Sequence, residues 1–186
     1  MINEKIIYVF LADGFEESEA IVPIDILKRA GGNVVTVSIS DSLTVTGSHG
    51  IAMTADIKAS EAEADRAEMF VLPGGGKGTE LLASSQWVRA FLEHAVTKGI
   101  YVGAICAAPS VPGRIGLLDG RNVTCYPGFE SYMESANVTG KQVETDDIFI
   151  TGIGAGAAFE FGFKLAEMLY GEETANSVKA KMMYKQ

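Results

Sequence analysis

The chain has 186 residues, 47% hydrophobic and 21% charged, which is enough for one compact domain with a full core. A formal net charge of −9 at pH 7 argues against nucleic-acid binding through a basic face, and by itself names no other partner. Two Cys and two His are too few for a disulfide framework, and their spacing matches no zinc finger or ribbon.

The first residues lack signal-peptide anatomy, and no apolar run reaches the roughly 18 residues of a membrane span. A cytoplasmic, membrane-free protein is therefore expected. Residues 5–11 form a continuous apolar run, as in a parallel strand buried on both faces. Residues 18–30 place Ile21, Ile24, Ile26 and Leu27 at helical spacing and stop at Gly31-Gly32, a helix C-cap signal. A β-branched strand is expected over 34–39. Residues 43–46 and 50–54 flank Gly47-Ser48-His49 as a hairpin. The strand expected over 67–72 ends in Pro73-Gly74-Gly75-Gly76. The pattern of Val88, Phe91, Leu92 and Ala95 predicts a helix over 85–98.

Residues 100–103 read as a buried strand leading into Ala104-Ile105-Cys106-Ala107-Ala108-Pro109. A helix is expected over 107–118, with a Pro in its first turn, where Pro is tolerated. A short strand follows over 122–125, then a helical turn over 130–134. Residues 142–145 and 148–151 form a hairpin through Asp146-Asp147, and helices close the chain over 155–170 and 172–182. No linker or repeat divides the chain, so a single domain over 1–186 is expected. Alternating strands and helices imply a mainly parallel sheet covered on both faces. Sites in such folds gather at the C-terminal ends of strands. Cys106, the Gly74-Gly75-Gly76 turn and the turn after Leu11 all lie at such ends.

A Cys at a tight strand-to-helix turn is lifted from the sheet beside free backbone N–H groups. A helix N-terminus there favours the thiolate and lowers the thiol pKa. The alternative is a small buried hydrophobe. The glycines after Pro73 leave amides uncovered, which suits an oxyanion hole shared with the Ala107 N–H. In Ala12-Asp13-Gly14-Phe15-Glu16-Glu17-Ser18-Glu19, helix-dipole attraction accounts for two of the three glutamates. A third that turned into an apolar pocket would be pushed towards its protonated form and would donate a hydrogen bond to sulfur or shuttle a proton. Spacing does not choose among Glu16, Glu17 and Glu19. Gly152-Ile153-Gly154-Ala155-Gly156-Ala157 fits the dinucleotide fingerprint formally, but no second βα unit follows, so close helix–sheet packing is the expectation. Cys125 reads as structural and His94 as a solvated helix residue.

Together these motifs resemble the ThiJ/PfpI superfamily, in the branch of the human parkinsonism-associated deglycase. The resemblance rests on Gly14 to Glu19 with Pro23-Ile24-Asp25, on Val71-Leu72-Pro73-Gly74-Gly75, on Ala104 to Pro109, and on Gly154 to Phe161. It implies a flavodoxin-like three-layer α/β sandwich that forms a homodimer. It makes Cys106 the nucleophile, selects Glu19 as the carboxyl touching sulfur, and gives Gly74, Gly75 and Ala107 as N–H donors. Relatives in this branch are described as glutathione-independent glyoxalases, deglycases and oxidative-stress sensors.

Three positions depart from the family. The peptidase branch carries His directly after the Cys, where this chain has Ala107. The His that many members bring beside the Cys corresponds to Tyr126, whose ordinary pKa of about 10 makes it a poor base at neutral pH. His49 takes the place of a pocket Arg, and with Arg29 is expected to line the pocket entrance from the partner subunit. The resemblance thus implies a cysteine-dependent stress protein acting on a small aldehyde or glycated adduct, with no metal and no cofactor. The alternatives are a non-enzymatic oxidative-stress sensor or chaperone that uses Cys106 oxidation, and a peptidase or amidase.

Overall fold

The apolar run after Lys5 forms β1 (Ile6–Leu11), and all six of its side chains are buried. Successive side chains point to opposite faces, so Ile6, Tyr8 and Phe10 enter one core and Ile7, Val9 and Leu11 the other. A strand buried on both faces needs cover on both. The computed structural model describes residues 5–185, so the span 1–186 expected of the domain reaches residues 1–4 and 186, outside the described part.

After β1 come α1 (Glu17–Arg29) and β2 (Val34–Ser38), then the antiparallel pair β3 (Thr44–Thr46) and β4 (Ala52–Thr54). Next are β5 (Ile57–Lys58), β6 (Ala67–Leu72), α2 (Gly76–Ser84), α3 (Gln86–Lys98) and β7 (Tyr101–Ile105). The four-residue α4 (Ser110–Gly113) leads to β8 (Asn122–Val123) and β9 (Asn137–Val138), a small parallel pair. The antiparallel pair β10 (Val143–Asp146) and β11 (Phe149–Gly152) precedes α5 (Ala158–Lys181).

The main sheet runs β10-β11-β7-β6-β1-β2-β5, parallel throughout except for β10. Ile26 and Leu27 of α1 with Phe161 and Leu165 of α5 cover the Ile7 face. Leu82 of α2 with Val88, Phe91 and Leu92 of α3 cover the Tyr8 face, where Phe91 sits 5.2 Å from Phe10 and 5.4 Å from Phe70, ring centre to ring centre. Each such side chain, fully buried, stabilises the fold by about 1.5–3 kcal/mol. These are the three layers of a flavodoxin-like α/β fold. On the Ile7 side, a Cβ at Gly162 would lie 2.7 Å from Ile26 Cδ1 and 3.2 Å from Pro23 Cα, so α5 crosses α1 there as closely as glycine allows.

Several expected elements are corrected. The helix over 107–118 shrinks to α4, because Pro112 has no amide to donate inside that segment and Gly116 takes φ 75°. Helix α2 is additional; Gly76 and Gly78 weaken its sequence signal, yet its Leu82 is buried. Strands β5 and β9, two residues each, are too short to carry a readable alternation. The closing helices, by contrast, divide where expected, at Gly171, with φ 83° and ψ 164°. His94 is not simply solvated: its Nε2 lies 3.3 Å from Asp65 Oδ1.

From β1 the chain moves out to β2 and β5, then returns to β6 on the other side of β1. Strand order reverses there, and such a reversal opens a crevice at the C-terminal edge of the sheet.

Candidate active site

Strands β1, β6 and β7 are neighbours. Val9 pairs with Val71 and Leu72 with Ala104, so their turns emerge side by side. The Glu16 amide donates to the Gly74 carbonyl at 3.0 Å and joins the first turn to the second. The Cys106 amide donates to the Gly152 carbonyl, and the Tyr126 amide to the Cys106 carbonyl, both at 2.8 Å. The third turn is thereby held from its other side. A Cβ on Gly75 would strike the Gly14 carbonyl, and one on Gly74 would lie 2.7 Å from Cys106 Cβ. Gly75 also takes φ 92°. Glycine at both positions is what lets the three turns close on one another.

Cys106 takes φ 64°, a left-handed conformation uncommon for a residue with a side chain. Such strain costs about 1–3 kcal/mol and persists only where the surroundings over-determine it. Here the two backbone hydrogen bonds on Cys106 do so. The side chain is left half-buried, and the amides of Ala107 and Gly75 favour charge on its sulfur. Gly74 corrects the expected set of three donors: its amide donates to Glu19 Oε2 at 2.9 Å. A carboxyl with no solvent access must take a donor from the protein, and Gly74 supplies it.

The structure also separates the three acids. Glu19, fully buried in the first turn of α1, is the one that faces Cys106. Its Oε1 is buried without a hydrogen-bond partner among the described residues, and a Cβ on Gly74 would lie 2.6 Å from Glu19 Oε2 and 2.7 Å from Cys106 Cβ, which puts the carboxyl against the thiol. Burial pushes Glu19 up from its ordinary 4.5 to about 7, and the charge of Glu16 adds to that, against the hydrogen bonds from Cys106 and the Gly74 amide. Burial also pushes the Cys106 thiol up, to about 12, followed by the charge and hydrogen bond of Glu19; the Ala107 and Gly75 amides oppose the rise.

The expected low thiol pKa is therefore corrected. The helix that was to lower it has four residues, so only the two local amides act, and the adjacent carboxylate opposes them. Two negative charges this close do not coexist at neutral pH. Removing the first proton from the pair leaves one charge and one proton to be shared between carboxyl and sulfur. With Glu19 held at about 7 and the thiol at about 12, the charge falls mainly on Glu19, and the amides stabilise the minor form that has the charge on sulfur and the proton on Glu19.

Glu17 and His49 pair with each other at the β3–β4 hairpin, Oε2 to Nδ1 at 2.8 Å. Glu17 is buried under the β3–β4 turn. Burial would raise its carboxyl, but hydrogen bonds from the His49 side chain, its own amide, the His49 amide and Ser48 outweigh that and hold it at about 2. His49 is pushed up by its hydrogen bond to Glu17 and by the charges of Glu16 and Glu17. Ser48 is a polar residue the sequence reading passed over; its Oγ lies 3.1 Å from Glu17 Oε2 and 3.2 Å from Glu16 Oε2. Its place at a hairpin tip beside a His was the available signal.

Tyr126 is 52% exposed and sits over Gly154, attached to the site through its amide. Arg29 is not in the site of its own chain. It ends α1, about 18 Å along the helix from Glu17, and pairs with Asp25 at 2.9 Å. Cys125 is buried, with its thiol pushed up by burial and by Glu130 to about 11. At Gly152 a Cβ would lie 2.9 Å from Ile105 Cγ1 and 3.2 Å from the Phe161 ring, which is the close packing expected of the late glycine motif.

The sequence pattern of the DJ-1/PfpI family matches residues 5–168. The chain belongs to that family. Protein DJ-1 homolog B of Arabidopsis thaliana is 38% identical over 168 residues, covering 90% of this chain; the match spans only 38% of that plant protein's length. The glutathione-independent glyoxalase DJR-1.2 of Caenorhabditis elegans is 33% identical over 165 residues, covering 88% of this chain and 87% of the relative. The crystal structure of Drosophila melanogaster DJ-1beta superposes with a TM-score of 0.94 at 31% identity, covering 98% of this chain and all of that one. Among the described residues of this DJ-1/PfpI protein, no helix is long and apolar enough to cross a membrane.

The raised carboxyl of Glu19 has a consequence for stability. The folded protein binds that proton more tightly than the unfolded chain does. The contribution is fully present below about pH 4.5 and is lost as pH rises through about 7. The gap corresponds to about 3 kcal/mol. Urea unfolding should therefore show Glu19→Gln, which cannot ionise, gaining about 3 kcal/mol on the wild type between pH 4.5 and 7.5. Parallel pH profiles for the two proteins would contradict a buried, raised carboxyl.

Proposed function

We propose that this DJ-1/PfpI protein converts small α-dicarbonyls such as methylglyoxal into hydroxy acids through Cys106, without glutathione. The contact of the buried Glu19 carboxyl with the Cys106 sulfur carries this reading, and the glyoxalase named among the relatives supports it. The Cys106 thiolate adds to the aldehyde carbon, and the carbonyl oxygen takes up the Glu19 proton to give a hemithioacetal. The amides of Gly75 and Ala107 face this centre and stabilise the oxyanion as it forms. Glu19, now a carboxylate, removes the proton from the former aldehyde carbon. The proton returns at the neighbouring carbon, which is reduced as the first is oxidised, leaving a thioester of a 2-hydroxy acid. Water cleaves the thioester, releasing the acid and restoring the thiol. The net change is addition of one water, so no external oxidant, metal or cofactor enters. Glycated adducts of the same aldehydes fall within the same substrate class.

Peptidase chemistry lacks this support: Ala107 follows the nucleophile, and His49 Nδ1 is engaged by Glu17 at 2.8 Å. We also read the working form as a homodimer. Ile21 on α1 is 43% exposed and Ile51 beside the β3–β4 hairpin 54%, and an interface over these elements would cover both and bring a second Arg29 within reach of the pocket.

Methylglyoxal turnover should vanish in Cys106→Ser and fall at least about 100-fold in Glu19→Gln, with Cys106 still open to alkylation in the latter. Full turnover in Glu19→Gln would overturn the mechanism. Peroxide oxidation of Cys106 in a wild type without turnover would favour the redox sensor instead. Sedimentation equilibrium should give twice the chain mass for the wild type and move towards one chain mass in Ile51→Glu; a monomeric wild type contradicts the dimer.

A further inference from the structure

Glu17 plays no part in the Cys106 chemistry, yet the hairpin is shaped around it. Its side chain is only 7% exposed. A Cβ on Gly47 would collide with Glu17 Oε1 and lie 2.6 Å from its Cγ, so residue 47 must leave room for this carboxylate. Oε1 accepts the His49 amide at 2.7 Å, which fixes the group in the plane it occupies. That leaves Oε2 directed at His49 Nδ1, 2.8 Å away, with Ser48 Oγ at 3.1 Å. Glu16 completes the corner: its Oε1 lies 3.7 Å from the same Nδ1. One donor atom each from Glu16, Glu17 and His49 falls within a 4.8 Å span.

An ion whose nitrogen and oxygen ligands stand about 2.0–2.2 Å away holds neighbouring donors about 3–4 Å apart. The separations at Nδ1 are close to that spacing before any ion enters. Two carboxylates face one imidazole, so the corner stays net negative even with His49 protonated. The hydrogen bond from the His49 amide orients the ligating carboxylate from behind, as second contacts do in built metal sites. Two carboxylate oxygens and one imidazole nitrogen suit zinc and its neighbours over thiophilic ions.

We propose that Glu16, Glu17 and His49 bind one divalent transition-metal ion of the zinc class, with Ser48 Oγ beside it and water completing the shell. The ion displaces the proton from His49 Nδ1 and staples the β3–β4 turn to the start of α1, the helix that carries Glu19. The site is separate from the aldehyde chemistry, which needs no ion. No spacing motif announces it, because its ligands come from two elements 32 residues apart.

Cysteine thiolates also bind zinc, so the test uses the full chain carrying Cys106→Ser and Cys125→Ser. Equilibrium dialysis against zinc should give one ion per chain, and His49→Ala and Glu16→Gln should each weaken binding at least about tenfold. The His49 side chain is 68% exposed, so its loss leaves the fold in place, which circular dichroism checks. No binding at millimolar zinc, or binding unchanged in His49→Ala, overturns the proposal.

Discussion

One proton lies between a fully buried carboxyl and a half-buried thiol, and the site is organised around it. Among the described residues Glu19 has no solvent, no cationic partner and a single amide, that of Gly74, to steady its charge. Left ionised, it opposes a thiolate on Cys106; protonated, it donates to that thiolate and carries the proton that aldehyde addition requires. The same burial that makes Glu19 costly to ionise thus makes it useful as an acid near neutral pH. The two amides at the sulfur stabilise the thiolate form without adding a titrating group.

Holding these groups together asks more of the backbone than of the side chains. The β1, β6 and β7 turns approach so closely that side chains are excluded at Gly74 and Gly75, and Cys106 is forced to positive φ. The sheet supplies the rigidity for this. Its central strands are buried on both faces, and the packing of α1 on α5 keeps the helix that carries Glu19 from shifting along the sheet. Pro23 lies within α1 and cannot donate to the Glu19 carbonyl, so that turn depends on tertiary packing more than on its own ladder.

The layer order was legible in the sequence because the strands of a doubly covered sheet are apolar runs, and β1 and β7 are two of them. The convergence of the three turns was expected from their place at strand C-terminal ends, and the strand order that brings them side by side came only with the structure. Less could be read where local chemistry conflicts with the outcome. Glycines in α2 hide a helix that exists through the burial of Leu82, and the two prolines and two glycines between Pro109 and Gly116 break a helix that apolar spacing suggested. Among the acids, periodicity gave three equivalent candidates; only packing distinguishes Glu19 against sulfur from Glu17 beneath the hairpin. The direction of the thiol pKa was misread for the same reason, since the effect of burial and of a neighbouring carboxylate is not written in spacing.

The rate of Cys106 alkylation as a function of pH, in a Cys125→Ser background with Glu19→Gln alongside, tests the shared proton most directly. The wild type should show two steps, a partial one near pH 7 as the pair loses its first proton and a second in the strongly alkaline range. Glu19→Gln should lose the first step and titrate once. A single step at the ordinary thiol value of 9.0 in both proteins would mean that Glu19 and Cys106 do not share a proton.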